Sequence, residues 1–162
     1  MTSRILDHNR SIMSSLKKVL KKKKYRKVKL RKIATNHLEL DAKLNGVKGQ
    51  FILDTGASNS CVALDLIDHF GLKAEESETK AAGAGATDME TQQSSDNTLT
   101  LGEWKTKKLD LVLFDLSHIN AALEQQQANK VHGIIGADVL ERGKAIIDYD
   151  KKVLYLRKGK KL

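Results

Sequence analysis

A carboxylate placed directly after an apolar run is the first feature of the sequence that could do chemistry. Residues 51–53 (Phe-Ile-Leu) predict a buried strand, Asp54 follows at once, and the chain then turns through residues 55–58 (Thr-Gly-Ala-Ser). A carboxylate is costly to bury unless it is hydrogen-bonded, paired or protonated. Asp54 is therefore either a surface residue at the exit of a strand or an acid held in a perturbing site, as a general acid or base requires.

Two later segments form an ordered set with this loop. The sequence AAGAGA, which contains Gly83, Ala84 and Gly85, predicts the tip of a glycine-rich hairpin. Residues 134–138 (Ile-Ile-Gly-Ala-Asp) then place two apolar residues and a glycine before a short helix. Taken singly, the three segments could be a strand exit, a flexible linker and a buried strand. Their significance lies in the combination.

In combination the segments resemble the retropepsin-type aspartic proteases, particularly the single-domain bacterial members, over residues 25–158. The matching sequences are LDTGAS for the catalytic loop, KAAGAGAT for the flap, GIIGADVL beneath the loop and AIIDYDKKVLYL for the C-terminal hairpin. The resemblance implies hydrolysis of peptide bonds by a water molecule that two aspartates activate. It implies an extended polypeptide substrate and neither a metal nor an organic cofactor.

The resemblance also implies roles for individual residues. Asp54 would be the catalytic acid or base, buried because two carboxylates that share a proton need a perturbing environment. Gly56 would let the backbone turn tightly and donate N–H groups to that carboxylate, and Thr55 would hydrogen-bond to a second copy of the loop. For contact with the substrate, the resemblance implies Ala57, Ser58, Gly83, Ala84 and Gly85. For support of the loop, it implies Ile134, Ile135, Gly136 and Asp138.

The sequence contains only one Asp-Thr-Gly triplet, although the chemistry needs two aspartates. Asp138 follows Ile-Ile-Gly but lies at the start of a predicted helix, where an acid is more typical of a cap. A chain with one triplet can form the pair only with a second copy of itself. The resemblance therefore implies a symmetric homodimer with one Asp54 from each subunit at the twofold axis.

The elements that must position these residues are mostly short strands. Leu38, Leu40, Ala42 and Leu44 alternate with polar residues, and Asn45-Gly46 is a strong hairpin signal. Further hairpins are predicted around a Gly-Glu turn at 102–103 and a Lys-Lys turn at 151–152, and helices over residues 5–20 and 63–70. We predict an all-β fold, a small closed β-barrel of the retropepsin-like type with short helices and a flap hairpin. Residues 1–24 are predicted to be an extension and residues 25–162 the protease domain.

The positive charge of the chain is local. The net charge is +9, but residues 17–32 hold eleven Lys or Arg and no acid, which leaves residues 33–162 mildly acidic. Three interpretations of residues 17–32 remain open: a solvated tail, weak binding to an anionic membrane surface, or nonspecific binding to nucleic acid. The corresponding alternative function is a noncatalytic peptide-binding or tethering module on the same barrel.

The remaining chemically active side chains carry weaker signals. Three histidines, His37, His69 and His132, lack metal-ligand spacing, although His132 precedes the 133–136 segment and could tune the site. The single cysteine, Cys61, is expected to be a buried small residue rather than a nucleophile. The sequence shows neither a signal-peptide pattern nor an apolar stretch of membrane-spanning length. A cytoplasmic location is therefore expected, with association at a membrane surface as its alternative.

Overall fold

The fold was analysed in a computed structural model, which describes the backbone of residues 16–77, 81–83 and 86–159. The helices are α1 (16–22), α2 (Ser117–Gln125) and α3 (Ala137–Arg142), with a 3₁₀ turn at Leu64–Leu66. The strands are β1 (Tyr25–Lys29), β2 (Arg31–Lys32), β3 (Leu38–Leu44), β4 (Val47–Leu53), β5 (Cys61–Ala63), β6 (Glu75–Glu76), β7 (Ala81–Gly83), β8 (Ala86–Met89), β9 (Gln92–Leu101), β10 (Trp104–Phe114), β11 (Gly133–Ile135), β12 (Ile146–Asp148) and β13 (Val153–Arg157).

Most of the strands belong to one sheet that closes on itself. The sheet has the order β2-β3-β4-β11-β5-β10-β9-β6, and β3 also pairs with β9. The six strands from β3 round to β9 therefore form a closed barrel. The prediction of an all-β fold with a small closed barrel and short helices is confirmed.

The hairpins that build the barrel follow from the turn residues. Asn45 and Gly46 have φ values of 49° and 86°, as a tight two-residue turn requires, and they pair β3 with β4 from Leu44↔Val47 to Leu38↔Leu53. The Asn45 side chain also donates to the carbonyl of Phe70 and to Asn97. Gly102, with φ of 56°, turns β9 into β10. Both of these predicted hairpins are confirmed.

Strand β11 determines where the candidate loop lies. It runs parallel to β4, with Ile135 opposite Leu53, and antiparallel to β5, with Gly133 opposite Val62. Since β11 separates β4 from β5, the connection between those two strands, residues 54–60, must pass across the end of β11. The chain thus brings Asp54 beside Gly136, although the two residues are far apart in the sequence.

Two apolar clusters pack against the barrel strands. The larger one contains Leu40, Leu44, Phe51, Leu113 and Ile135, all nearly inaccessible to solvent. The smaller one contains Ile52, Cys61 and Ile134 from the central strands and Leu116 and Leu123 from α2 and its entry. Neighbouring residues of β4 and β11 therefore enter different clusters, as the alternation of side chains along a strand dictates.

A separate three-stranded sheet has the order β1-β13-β12. The pattern of Tyr25, Val28 and Leu30 predicts an outer strand of the barrel; a strand is present, but β1 lies in this separate sheet, where it pairs with β13 from Tyr25↔Arg157 to Lys29↔Val153, and Leu30 follows it. The predicted C-terminal hairpin is confirmed as β12 and β13. Leu20 of α1 is only 4% exposed, so α1 is docked rather than detached. The proposed boundary between residues 24 and 25 stays a prediction.

Only part of the predicted helices can be compared with the structure. Residues 1–15 lie outside the described residues, and so does that part of the helix expected over residues 5–20; α1 covers the remainder of that range. The helix expected over residues 63–70 is wrong, since it is a 3₁₀ turn and further turns that end at Gly71, whose φ is 60°. The segment is too short to offset helix nucleation, and burial of Phe70 and Leu72 determines its course. Within the described ranges, no helix is long and apolar enough to cross a membrane.

Candidate active site

Asp54 begins the loop that crosses the end of β11. Its backbone N–H donates to the carbonyl of Ile135 at 3.0 Å, which continues the β4–β11 pairing by one residue. Its carboxylate oxygen Oδ1 accepts the backbone N–H of Gly56 at 2.8 Å, the contact expected for a loop with glycine two residues on. The loop therefore fixes the orientation of one carboxylate at the end of the central strands.

The expectation that Asp54 is buried is wrong for the single chain. Asp54, Thr55 and Gly56 are all exposed, and the Thr55 hydroxyl has no hydrogen-bond partner within the described part of the chain. The apolar strand delivers the acid to the surface of the barrel and not to its interior. One chain alone does not bury this carboxylate.

A buried network holds the far end of the loop. Ser60 is fully buried, and both its backbone N–H, at 3.0 Å, and its hydroxyl, at 2.7 Å, donate to the Asp138 carboxylate. The Ser60 oxygen in turn accepts the backbone N–H of Gly136 at 2.9 Å. Gly136 is the N-cap residue of α3 and makes no side-chain cap, but the Asp138 carboxylate accepts the N–H of Val139 in the first turn at 2.8 Å, which agrees with the predicted capping role. The same carboxylate also ties α3 to the loop through Ser60.

The backbone of the loop also lies directly on the start of α3. The N–H of Ala137 donates to the carbonyl of Ala57 at 2.7 Å, and the N–H of Asp138 donates to that of Ser58 at 3.3 Å. A Cβ atom on Gly136 would lie 2.6 Å from the Ala57 oxygen and 3.0 Å from the Asn59 oxygen. Only a residue without a side chain fits there, so Gly136 permits the contact that supports the loop.

The other residues implied for the site are distributed around the loop. Ala57 is half-buried and packs on the smaller cluster with Ile134, whereas Ile135 enters the larger one. Ser58 is exposed. Strands β7 and β8 form a two-stranded hairpin in which Gly83 pairs with Ala86, so the flap hairpin is confirmed as an element. Ala84 and Gly85 lie outside the described residues, and the role of the flap in binding stays a prediction.

His132 lies beside other rings rather than beside Asp54. Its Nδ1 accepts the backbone N–H of Gln50 at 2.9 Å, and its ring stacks on His69 at a centroid distance of 6.0 Å and meets Phe70 edge-on. Gln50 is four residues before Asp54 on one strand, about 13 Å along it. His132 is therefore a structural acceptor, and a direct effect on Asp54 has no support.

Cys61 is buried and free, as expected. Burial raises the pKa of its thiol to about 12, which keeps it protonated and unreactive at neutral pH. Across the described parts of the chain, no three His, Cys, Asp or Glu side chains converge as metal ligands do.

The residue that sequence reasoning missed is Ser60. It lies in the run Ser58-Asn59-Ser60, whose composition predicts only a polar turn. The available signal was its place immediately before the buried strand β5, where a serine must find partners for its hydroxyl and its N–H. Its partner Asp138 is remote in the sequence, so the pairing itself could not be predicted.

Replacing Asp138 by Ala is expected to destabilise the fold by about 3 kcal/mol, because two donors on buried Ser60 lose their acceptor. Asp138→Asn keeps one oxygen and should cost about 1 kcal/mol. Chemical denaturation measures both changes. The matched control is Asp110→Ala on the exposed side of β10, expected to change stability by less than about 0.5 kcal/mol. Equal effects at positions 138 and 110 would contradict the anchoring role.

Comparison with known proteins was made on both sequence and structure. The family model described as aspartyl protease matches residues 40–139. A crystal structure of a retropepsin-like aspartic protease from Rickettsia conorii superposes with a TM-score of 0.56 at 20% identity, covering 83% of this chain and 92% of that one. The retroviral protease-like domain of Ddi1 from Leishmania major gives a TM-score of 0.52 at 17% identity, covering 74% and 87%. No curated protein matches the chain by sequence.

Proposed function

Because this chain belongs to the aspartyl protease family, we propose that it is an aspartic endopeptidase whose active site forms between two copies of the chain. The observation that carries the proposal is the placement of Asp54. Its carboxylate is oriented by the Gly56 N–H and exposed at the end of the central strands, on a loop that Asp138 and Ser60 anchor. The retropepsin-like fold supports the same assignment.

In the proposed mechanism, one Asp54 carboxyl acts as the base and the Asp54 carboxyl of the second copy acts as the acid. Two carboxylates about 3 Å apart cannot easily both ionise, so the pair carries one proton between them. The ionised member takes a proton from water, whose oxygen attacks the peptide carbonyl carbon, and the protonated member donates a hydrogen bond to the carbonyl oxygen. The tetrahedral intermediate then collapses, the C–N bond breaks, and the amine leaves with a proton from the pair.

Dimerisation is the part of the proposal that supplies the second acid. The sequence has one Asp-Thr-Gly triplet, and Asp54 and Thr55 are exposed in the single chain. A second copy related by a twofold axis would cover both residues and bring the two carboxyls together. The Thr55 hydroxyl, which has no partner among the residues that the structure describes, is available for a hydrogen bond to the partner loop.

Substrate contacts are assigned within the same proposal. An extended peptide would lie over Asp54 between the loop residues Ala57 and Ser58 and the flap hairpin, with Gly83, Ala84 and Gly85 at or near its tip. Closure of such a flap excludes water other than the nucleophile and completes the site.

Digestion of a random peptide library, read out by mass spectrometry, tests the proposed function. The wild-type chain is expected to generate internal cleavages that a statine-type inhibitor abolishes. The matched control is the Asp54→Asn protein, prepared identically, which removes contaminating proteases as an explanation. A wild-type sample that gives no more products than this control would refute the peptidase, and peptide binding without cleavage would support the noncatalytic module instead.

Specific activity should depend on protein concentration. Since half of the catalytic pair comes from each copy, activity per chain is expected to fall on dilution below the dimer dissociation constant. Sedimentation velocity over the same concentrations should show dimer converting to monomer in parallel. A fully active monomer would overturn the shared site.

A further inference from the structure

A cavity of about 300 Å³ lies away from the Asp54 loop and is lined almost entirely by cations. Among residues 16–77, 81–83 and 86–159, eight line it, of which seven are Lys or Arg and the eighth is Gly159. They come from three separate parts of the chain, which the sequence alone does not bring together. They include Lys22 at the end of α1 and Lys24 just after it, Arg142 and Lys144 at the end of α3, and Arg157 and Lys158 at the end of β13.

The backbone around this cavity is fixed by hydrogen bonds. The N–H of Lys158 donates to the carbonyl of Lys24 at 3.1 Å, and the N–H of Arg157 donates to that of Gly143 at 2.6 Å. The Tyr25 hydroxyl donates to the carbonyl of Lys144 at 3.0 Å. The cations are therefore presented by docked elements, and the basic segment in this part is not a loose solvated tail.

Within the part of the chain that the structure describes, the charges in the cavity are not neutralised: no carboxylate of these residues lines it, and none of its cations forms an ion pair with them. Like charges held this close repel one another and create a positive potential that attracts anions. Phosphate groups are the anions that Lys and Arg clusters most commonly hold.

Exposed apolar side chains on α1 adjoin the cationic cavity. Leu16 and Val19 are 42% and 47% exposed, whereas Leu20 on the same helix is buried. Val19 lies one turn before Lys23, a cavity residue whose N–H donates to the Val19 carbonyl at 3.1 Å. Apolar and cationic side chains side by side are typical of a surface that enters a lipid interface. A nucleic acid would leave both apolar residues in water, and none of the described residues that line the cavity is an aromatic on which a base could stack.

We propose that this cavity and the exposed residues Leu16 and Val19 bind the surface of an anionic lipid bilayer. A lipid phosphate enters the cationic cavity, while Leu16 and Val19 reach the boundary between headgroups and acyl chains. Juxtaposed basic residues and a modest apolar contact together give reversible binding that weakens with salt. Such binding places the Asp54 site at a membrane surface, and it does not depend on whether that site is catalytic.

Cosedimentation of the full chain with vesicles tests the proposal. The wild type is expected to bind phosphatidylcholine vesicles that contain about 30% phosphatidylglycerol and not vesicles of phosphatidylcholine alone. The double charge reversal Lys144→Glu/Lys158→Glu should weaken this binding at least about tenfold. The matched control is Lys73→Glu/Lys105→Glu, which makes the same change in net charge on exposed residues outside the cavity and should retain most of the binding.

A second variant, which involves no charge reversal, distinguishes binding to lipid from binding to other polyanions. Val19→Ser should lower vesicle binding severalfold and leave binding to a DNA oligonucleotide unchanged. Circular dichroism confirms folding of each variant. The proposal is overturned if the wild type ignores anionic vesicles, if both charge-reversal pairs weaken binding equally, or if DNA binds more tightly than vesicles and Val19→Ser affects neither.

Discussion

Replacing Asp54 by Asn is expected to lower kcat/KM for a cleaved peptide by about 10⁴-fold or more, because the proposed dimer would lose both its acid and its base. The amide has the shape of the carboxylate, and its oxygen can still accept the Gly56 N–H that Asp54 accepts at 2.8 Å. Because Asp54 is exposed in the single chain, the substitution leaves no buried charge unpaired. The melting temperature should therefore change little while the activity disappears.

The matched control removes an acid without touching the site. Asp65 is exposed on the 3₁₀ turn after β5, and Asp65→Asn should retain wild-type activity. Mixing adds a second test, since exchange of subunits with Asp54→Asn protein traps wild-type chains in inactive pairs. At equal amounts and constant total chain, activity should fall to about one quarter of the wild-type value rather than one half. A value of one half would mean that each chain works alone.

Much of the barrel could be predicted because its signals are local. Alternation at Leu38, Leu40 and Ala42 predicted β3, and the Asn-Gly pair at 45–46 predicted both the turn and the register. The continuous apolar run at residues 51–53 predicted the buried end of β4. Each of these inferences uses residues within one hairpin, where the period of two and the turn geometry determine the outcome.

The parts that could not be predicted depend on contacts between distant segments. Nothing in the local sequence pairs Ser60 with Asp138, or places Lys24 against Lys158. The expectation that Asp54 is buried rests on the shared proton of a carboxylate pair, and the apolar strand before it does not determine whether the acid is buried in the single chain. Strand β4 ends at the surface of the barrel, where its last residue, Leu53, pairs with Ile135 of β11.

Gly136 is the glycine in direct contact with the Asp54 loop, so adding one carbon there should disturb the candidate site. Its φ is −105°, which alanine adopts without strain, so any cost of Gly136→Ala comes from space alone. The new Cβ would lie 2.6 Å from the backbone oxygen of Ala57. The atoms that this Cβ would meet belong to the backbone and not to a flexible side chain. The loop and the start of α3 must therefore separate.

We expect Gly136→Ala to destabilise the fold by about 3 kcal/mol, and to lower kcat more than the loss of folded protein explains. The separation shifts the residues 57–59 that follow Asp54, and a displacement of the acid pair by about 1 Å costs about 100-fold in rate. Denaturation in urea and single-turnover kinetics at saturating peptide measure the two effects separately. Gly159→Ala is the control, since a Cβ there would meet no atom within 4 Å, and it should change neither quantity. A stable Gly136→Ala protein with wild-type kcat would show that the loop does not need its close contact with α3.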